Sequence, residues 1–193
     1  MSNLYRRGFN FFYRRIRNLH YYVLSEIKIN FNNIVRLQPV LANGLGAIDI
    51  KKGVVFGTLK SPNLYTSYCY LEARHNNAKI IIGENTWINN SLSIICEKST
   101  IDIGSNCRIG GNVTILDSDF HHLNYLIRDS GEHQALPIKI GNNVFIGNNV
   151  TILKGVVIED NSVIANGSIV TKNIPKNTIA AGSPAKIIKK INL

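Results

Sequence analysis

The sequence predicts an all-β protein in which short parallel strands wind into a coil, a parallel β-helix. Aliphatic residues return every six positions over much of the 193-residue chain, and glycine and asparagine are frequent between them. A period of six matches neither the 3.6-residue turn of an α-helix nor the two-residue alternation of a flat strand. It fits a chain that turns a corner after each short strand.

The longest uninterrupted repeat lies between residues 140 and 175. Its leading positions, each six residues after the last, are Ile140, Ile146, Ile152, Ile158, Ile164 and Val170. Three six-residue sides close a triangular coil of eighteen residues, so the first three of these side chains should stack on the last three, about 4.8 Å apart. An earlier repeat keeps the same step but contains a three-residue insertion near Lys98.

The corners of such a coil need residues that tolerate unusual backbone angles. Glycine lacks a Cβ, and asparagine is one of the few other residues that adopt the left-handed conformation readily. Both types occupy the expected positions, as at Gly147, Asn148 and Asn149. We expect most of these asparagines to do no more than form turns.

A different pattern marks residues 2–28, where apolar residues are spaced by three and four, as on one face of a helix. They are Tyr5, Phe9, Phe12, Ile16, Leu19, Val23 and Ile27. Five arginines share this segment, and no acidic residue precedes Glu26. The pattern predicts an amphipathic helix that either packs on the coil or lies on an anionic membrane surface.

The chain is predicted to have three parts and one interruption. The parts are a basic amphipathic helix segment over residues 1–33, the β-helix over residues 34–180 and a basic tail over residues 181–193. Ile140 follows Ile115 by 25 residues, more than one eighteen-residue coil. A protruding loop over residues 116–137 accounts for the difference.

Composition argues against several classes of protein. No apolar run reaches the roughly 18 residues of a membrane span, and the N-terminus lacks the pattern of a secretory signal. Cys69, Cys96 and Cys107 lack CxxC spacing, which suits reduced thiols in the cytoplasm. The formal net charge is +10, but no nucleic-acid-binding motif accompanies it. A small anionic ligand or an anionic membrane is the better-matched partner.

The closing segment NSVIANGSIVTKNIPKNTIAAGSPAKIIKK, with the repeat from about Ile80 to Ile188, resembles the hexapeptide-repeat acyltransferases. Within that family it is similar to the galactoside and maltose O-acetyltransferases and to glycan acetyltransferases. The resemblance implies a left-handed coil, a homotrimer and acetyl-CoA as co-substrate, with no metal. It also implies transfer of an acetyl group to a sugar hydroxyl, with surface polysaccharide biosynthesis as the setting.

The protruding loop carries two adjacent histidines within DSDFHHLNY, Asp117 to Tyr125. In the resembling family a histidine at the start of this loop is the catalytic base, and position assigns that role to His121. Imidazole titrates near neutral pH, which suits it to accept a hydroxyl proton. Asp117 and Asp119 are candidates for orienting the imidazole, and we assign Asp119.

The resemblance places coenzyme A in a groove between the coils of adjacent subunits. Phe145 falls where an aromatic residue lines the pantetheine arm. The other matching positions are Asn148, Asn166 and Thr171 along that arm and Lys172, Lys186 and Lys189 near the nucleotide phosphates. Lysine stands at positions 186 and 189 where arginine is common, so the charge remains but bidentate phosphate contact is lost.

The acceptor site is less clearly marked. The sugar-contacting residues of the galactoside and maltose enzymes do not carry over, but Tyr70, Glu72 and Arg74 alternate as on one strand face and are our candidates. The alternatives are N-acetylation of an amino sugar, a zinc lyase similar to the γ-carbonic anhydrases, and a non-catalytic trimeric scaffold. The zinc alternative would use three histidines, drawn from His75, His121 or His122, and His133.

Overall fold

The computed structural model describes residues 2–130 and 132–192, which contain one α-helix, one short 3₁₀ helix and nineteen short strands. The α-helix is α1 (Ser2–Leu24). The strands are β1 (Val35–Arg36), β2 (Val40–Gly44), β3 (Ala47–Ile50), β4 (Val55–Phe56), β5 (Cys69–Ala73), β6 (Lys79–Ile82), β7 (Trp87–Ile88), β8 (Ser93–Cys96), β9 (Thr100–Ile103), β10 (Arg108–Ile109), β11 (Thr114–Leu116), β12 (Ile138–Ile140), β13 (Phe145–Ile146), β14 (Thr151–Ile152), β15 (Val157–Ile158), β16 (Val163–Ile164), β17 (Ile169–Val170), β18 (Thr178–Gly182) and β19 (Ala185–Lys190).

The strands form three sheets, which are the three faces of a triangular coil. Face A contains β1, β4, β7, β10, β13, β16, β18 and β19. Face B contains β2, β5, β8, β11, β14 and β17, and face C contains β3, β6, β9, β12 and β15. Successive strands along the chain pass from face A to B to C, and every pairing except β18 with β19 is parallel. The predicted all-β coil is confirmed.

The register of the later coils is the one that the six-residue repeat predicts. Ile140 pairs with Ile158, Ile146 with Ile164 and Ile152 with Val170. All six side chains are buried. Because parallel strands place paired residues on the same side, each aliphatic side chain packs on its counterpart one coil away.

The earlier coils show where the repeat is interrupted. Ile82 pairs with Ile103, and their separation along the chain is three residues longer than one eighteen-residue coil. The extra residues lie near Lys98, between β8 and β9, as predicted. The protruding loop is residues 117–137, between β11 and β12, so this loop and the insertion near Lys98 leave from the same edge, where face B meets face C.

Asparagine and glycine form the corners for two separate reasons. Asn143, Asn149 and Asn161 adopt positive φ values of 56°, 56° and 59°. Asn143 also donates from Nδ2 to Asn161 Oδ1 at 3.1 Å, so stacked corners bond to each other. At Gly147 the constraint is space, because a Cβ there would lie 2.3 Å from Asn166 Oδ1.

The C-terminal segment departs from expectation. Residues 181–193 were predicted to leave the coil as a basic tail, but β19 turns back and pairs antiparallel with β18. Lys186 lies opposite Ala181, and Lys189 lies opposite Ile179. The hairpin therefore fixes two predicted cofactor lysines at the edge of face A, where a free tail would leave them mobile.

The spacing predicts a helix that continues to residue 28, but α1 ends at Leu24. Ser25 Oγ donates to the carbonyl of Tyr21 at 2.7 Å. Lys28 Nζ donates to the carbonyls of Tyr22, Val23 and Ser25, at 2.9, 3.0 and 2.6 Å. A lysine that bonds the terminal carbonyls in this way caps a helix, and so Lys28 lies beyond the end of α1.

The helix packs on the coil through the face opposite its apolar stripe. Arg17 donates to the carbonyls of Leu64 at 2.8 Å and Ser67 at 2.5 Å. The Tyr21 ring lies 4.7 Å from that of Tyr68, centroid to centroid. These contacts hold α1 without using the stripe of Tyr5, Phe9, Phe12, Ile16, Leu19 and Val23, which is 61–76% exposed. No helix in the described residues is long and apolar enough to cross a membrane.

Candidate active site

The protruding loop begins and ends on the edge between faces B and C. Its base is closed by a bridge between Ser118 and Ala135 and by a hydrogen bond from Leu136 N to Asp117 O at 2.8 Å. Further out, Asn124 caps a short 3₁₀ helix, Tyr125–Ile127. The outer part is exposed, whereas the base is joined to the coil.

Asp117 anchors the loop to the neighbouring insertion. Its side chain is buried and accepts hydrogen bonds from Glu97 N at 2.7 Å, Ser99 N at 3.0 Å and Ser99 Oγ at 2.8 Å. A buried carboxylate with three donors is fully engaged in holding backbone. The protruding loop and the insertion near Lys98 are therefore one bonded unit.

The two adjacent histidines have different surroundings. His121 has a side chain that is 62% exposed, and its Nδ1 lies 3.5 Å from Asp129 Oδ1. His122 is partly buried, and its Nδ1 accepts a hydrogen bond from Asn124 N at 3.0 Å. His122 thus supports the loop's own conformation, while His121 presents an accessible imidazole.

Asp119, which we assigned to orient the imidazole, forms an ion pair with Lys154 on the following coil. The carboxylate beside His121 in the structure is that of Asp129, whose side chain is 92% exposed. The role of Asp119 in catalysis stays a prediction. Sequence reasoning did not single out Lys154 or Asp129, because neither falls at a recognisable motif position.

The three acceptor candidates form one bonded group on the outer side of β5. Tyr70 Oη donates to Glu72 Oε2 at 3.0 Å. Arg74 donates from Nε to Glu72 Oε1 at 2.9 Å and from Nη2 to Oε2 at 3.2 Å. The two parallel bonds between guanidinium and carboxylate make this a geometrically specific pair.

This group meets the base of the protruding loop. The Arg74 guanidinium lies over the Phe120 ring, 5.0 Å from its centroid. Glu97 Oε1 lies 3.9 Å from Arg74 Nη1 and 2.7 Å from His133 Nε2. Together these contacts join Tyr70, Glu72, Arg74, Glu97 and His133 into what we call the acceptor-side network.

Sequence reasoning missed Glu97 as a member of this network. The available signal was its position directly before the three-residue insertion, where the repeat breaks. His133 was considered only as a zinc ligand. Among residues 2–130 and 132–192 of one chain, no three His, Cys, Asp or Glu side chains converge as a metal site.

The acceptor-side network shifts the protonation of its members. Arg74 donates to Glu72 and holds the pKa of that carboxyl below its usual range, although burial opposes the shift. Burial also opposes ionisation of Glu97, but the neighbouring Ser118, His133 and Arg74 side chains outweigh it and lower the pKa. Burial and the bond to Glu72 raise the pKa of Tyr70 to about 12. The network therefore contains two stable carboxylates beside a cation.

The predicted cofactor residues divide between face A and two corners. Phe145 is half exposed on face A, in line with Val163, Ile179 and Lys189 on successive strands. Asn148 and Asn166 stack at the corner between faces A and B, and Thr171 and Lys172 follow β17 at the corner between faces B and C.

The two stacked asparagines also hold the coil together. Asn148 Oδ1 accepts from Gly111 N at 2.7 Å, and Asn166 Oδ1 accepts from Asn148 N at 2.8 Å. Their side-chain oxygens are thus engaged with backbone. Any contact with a ligand is left to their amide nitrogens.

A single chain does not bring the two halves of the predicted site together. His121 and the acceptor-side network lie at the edge between faces B and C, whereas Phe145 and Lys189 lie on face A. In a triangular coil that edge is opposite face A. A site containing both halves needs a second copy of the chain.

Comparisons with known proteins identify relatives along most of the chain. Residues 137–172 match the family model described as the hexapeptide repeat of succinyl-transferase. The chain is 45% identical over 131 residues to galactoside O-acetyltransferase of Escherichia coli, covering 68% of this chain and 60% of the relative. It is 43% identical over 171 residues to YJL218W, a Saccharomyces cerevisiae protein assigned as an acetyltransferase, covering 88% of this chain and 82% of the relative.

Solved structures agree with these relatives. A galactoside acetyltransferase in complex with coenzyme A has a TM-score of 0.56 at 39% identity, covering 76% of this chain and 65% of that chain. The polySia-specific acetyltransferase NeuO has a TM-score of 0.62 at 30% identity, covering 81% of this chain and 71% of that chain.

The three-faced coil and its repeat define a left-handed parallel β-helix of the hexapeptide-repeat class. Within that class, the chain belongs to the hexapeptide-repeat acetyltransferases. The match to the Escherichia coli enzyme spans about 60% of that enzyme's length. The family and the fold that the sequence predicted are confirmed.

Acidification should weaken the fold through Glu72 and Glu97. Because their pKa values are depressed in the folded state, they stabilise the fold above the ordinary carboxyl pKa, and this contribution is lost as pH falls through the folded-state pKa. Glu72→Gln should lower stability at neutral pH and flatten its decline toward acid pH, measured by urea unfolding at a series of pH values. The matched variant Glu132→Gln removes an exposed loop carboxyl and should leave both the stability at neutral pH and its pH dependence unchanged. If Glu72→Gln has the same stability profile against pH as the parent chain, the expectation is refuted.

Proposed function

We propose that this protein transfers the acetyl group of acetyl-CoA to a hydroxyl of a sugar. The observation that carries the proposal is the exposed imidazole of His121 on a loop whose base is bonded to a polar network. The similarity to galactoside O-acetyltransferase, and to a galactoside acetyltransferase structure that contains coenzyme A, supports the choice of donor and acceptor.

The chemistry requires one base and no covalent enzyme intermediate. His121 would take the proton of the acceptor hydroxyl as its oxygen attacks the thioester carbonyl carbon. Collapse of the tetrahedral intermediate breaks the C–S bond, and the imidazolium returns the proton to the departing thiolate. Backbone N–H groups near the thioester oxygen would stabilise the transient oxyanion.

The cofactor would lie along face A. Phe145 offers a half-exposed aromatic surface to the pantetheine arm, flanked by Asn148 and Asn166 at the corner between faces A and B. Thr171, at the corner between faces B and C, would reach the arm from a neighbouring copy of the chain. Lys186 and Lys189 are held by the β18–β19 hairpin, and they are exposed, as is Lys172. Three ammonium groups near the C-terminal end of the coil would attract the phosphates of coenzyme A.

The acceptor would contact the network beside the loop. Glu72 is held ionised and can accept hydrogen bonds from sugar hydroxyls, and Arg74 can donate. Tyr70, whose O–H is donated to Glu72, can accept, and Glu97 is buried behind this surface. A polar surface with both donors and acceptors suits a sugar. We place the acceptor among surface polysaccharides or their lipid-linked precursors, because this network differs from the galactoside-binding pattern of the resembling enzymes.

We further propose a homotrimer in which adjacent chains share each site. The edge that carries His121 is opposite the face that carries Phe145 and Lys189. When unlike surfaces of neighbouring copies meet, the contact is heterologous, and such contacts close into rings. A ring of three would bring each loop to the face A of its neighbour.

The assignment of the base can be tested on the adjacent histidines. His121→Ala should lower kcat by about 10² to 10⁴, the usual loss for a general base, while acetyl-CoA binding persists. His122→Ala should cost less than about tenfold, since it removes only the bond from Asn124 that orders the loop. Steady-state kinetics with a panel of sugars and amino sugars, followed by thiol release, measures both. A larger loss from His122→Ala would overturn the assignment.

The shared site can be tested by complementation. Lys186→Ala/Lys189→Ala should weaken acetyl-CoA binding and make the affinity less dependent on salt, because two phosphate-directed charges are lost. Calorimetric titrations at several salt concentrations measure both effects. Lys139→Ala, at an exposed lysine on face C, is the matched control.

Co-refolding this double variant with His121→Ala should restore activity at about a quarter of the sites, where a wild-type loop meets a wild-type face A. If the mixture stays as inactive as its two components, the site lies within one chain. Sedimentation of an active monomer would lead to the same conclusion.

We also propose that α1 places the enzyme at an anionic membrane surface. Its apolar stripe is exposed, and the opposite side is fixed to the coil by Arg17 and Tyr21. The Tyr68 ring, against Tyr21, lies 6.5 Å from the ring of Tyr70. The helix is therefore continuous with the acceptor-side network, as a membrane-linked acceptor would require.

Flotation with anionic vesicles tests this placement. Phe9→Ser/Leu19→Ser should abolish co-flotation, because two exposed apolar residues of the stripe no longer insert. Ile187→Ser/Ile188→Ser changes two exposed residues at the other end of the coil and should float like the parent chain. Equal flotation of both variants and the parent chain would show that the stripe contacts no membrane.

A further inference from the structure

Helix α1 and the first coil enclose an open cleft of about 940 Å³. The residues that line it and carry the argument are Arg14, Arg15 and Asn18 on the helix and Lys28, Phe31 and Arg36 beyond it. Four of these six are basic, and none of the described residues that line the cleft is acidic. A concave surface with charges of one sign attracts counter-ions.

Within the part of the chain that the structure describes, the arginines of the cleft form no ion pair with a carboxylate. Arg36 lies over the Phe31 ring, 3.7 Å from its centroid, and Arg15 lies over Phe11 at 5.0 Å. Arg14 donates from Nε to the carbonyl of Asn10 at 3.3 Å. Lys28 is engaged at the end of α1, so the three arginines supply the charge that faces the cleft.

Two buried polar atoms of the cleft have no partner among the described residues. They are Nη1 of Arg36 and Oδ1 of Asn18. The rest of the Asn18 amide is engaged, because Nδ2 donates to the carbonyl of Arg36 at 3.1 Å. A buried charged donor without an acceptor is costly. Burial also lowers the pKa of Arg36, and an anion in the cleft would reverse both effects.

We propose that this cleft binds a phosphate ester that also carries a hydroxyl group. The phosphate would accept hydrogen bonds from Arg36 and attract Arg14 and Arg15, since guanidinium groups match phosphate oxygens in geometry. The hydroxyl would donate to Asn18 Oδ1, which needs a donor. This site is separate from the acetyl-CoA groove, because α1 lies at the first coil and Lys186 and Lys189 lie at the last.

The same chemistry occurs in a free phosphate ester and in a glycerophospholipid headgroup. The cleft is also lined by Leu19, a member of the exposed stripe, so a headgroup could enter it while the stripe lies in the bilayer. The site itself does not depend on the proposed acetyl transfer.

Titration with glycerol 3-phosphate tests the soluble source, in a chain that also carries Lys186→Ala/Lys189→Ala so that the phosphate-directed charges of the groove on face A are absent. Arg36→Gln should weaken binding by at least about tenfold, the effect of losing a charge-assisted contact. Arg14→Gln/Arg15→Gln, which changes groups at the mouth of the cleft, should do the same without disturbing the coil. Lys139→Gln should bind like the parent chain.

Flotation with phosphatidylglycerol vesicles, against phosphatidylcholine vesicles, tests the lipid source with the same variants. Saturable binding of glycerol 3-phosphate that Arg36→Gln weakens supports the site with a free ester as ligand. If the chain floats selectively with phosphatidylglycerol vesicles and Arg36→Gln weakens this flotation, the result supports the cleft site with a lipid headgroup as its ligand. If neither kind of binding is sensitive to Arg36→Gln or to Arg14→Gln/Arg15→Gln, while both variants keep the parent thermal midpoint, the cleft binds no phosphate ester.

Discussion

The stacking of each coil on the next, backbone to backbone, is the constraint on which the rest of the structure depends. Parallel strands bond at about 4.8 Å, so each coil must repeat the outline of the one before it. Ile140, Ile146 and Ile152 fill the interior of one coil, and residues eighteen positions later fill the next in the same places. A Cβ at Gly147 would strike the following coil, and for that reason even the corners are restricted.

Because the interior of the coil cannot change, segments that carry additional polar side chains must be inserted at a corner. The insertion near Lys98 and the protruding loop both leave between faces B and C, on adjacent coils. Asp117 bonds them together, and His133 on the loop reaches Glu97 beside the insertion. The regularity of the other coils supplies a rigid base for these excursions, as functional loops require.

A different structural element lies at each end of the coil. The β18–β19 hairpin covers the last coil and holds Lys186 and Lys189 on face A. At the other end, α1 packs through Arg17 and Tyr21 and leaves an apolar stripe and an arginine-rich cleft outside. Basic residues that contribute to the net charge of +10 therefore form separate cationic surfaces at the two ends of the coil. The acceptor-side network, which contains two carboxylates, lies between these surfaces.

The sequence alone determined the coil, the register of its later turns and the position of the protruding loop, because a six-residue period fits one simple geometry and an insertion into it must protrude. It also located the apolar stripe of α1. Only the tertiary structure decided that the stripe faces away from the coil, that β19 returns to face A, and that Glu97 joins Tyr70, Glu72 and Arg74. These outcomes depend on contacts between segments far apart in the chain, such as Arg17 with Leu64. A local period carries no information about contacts of that kind.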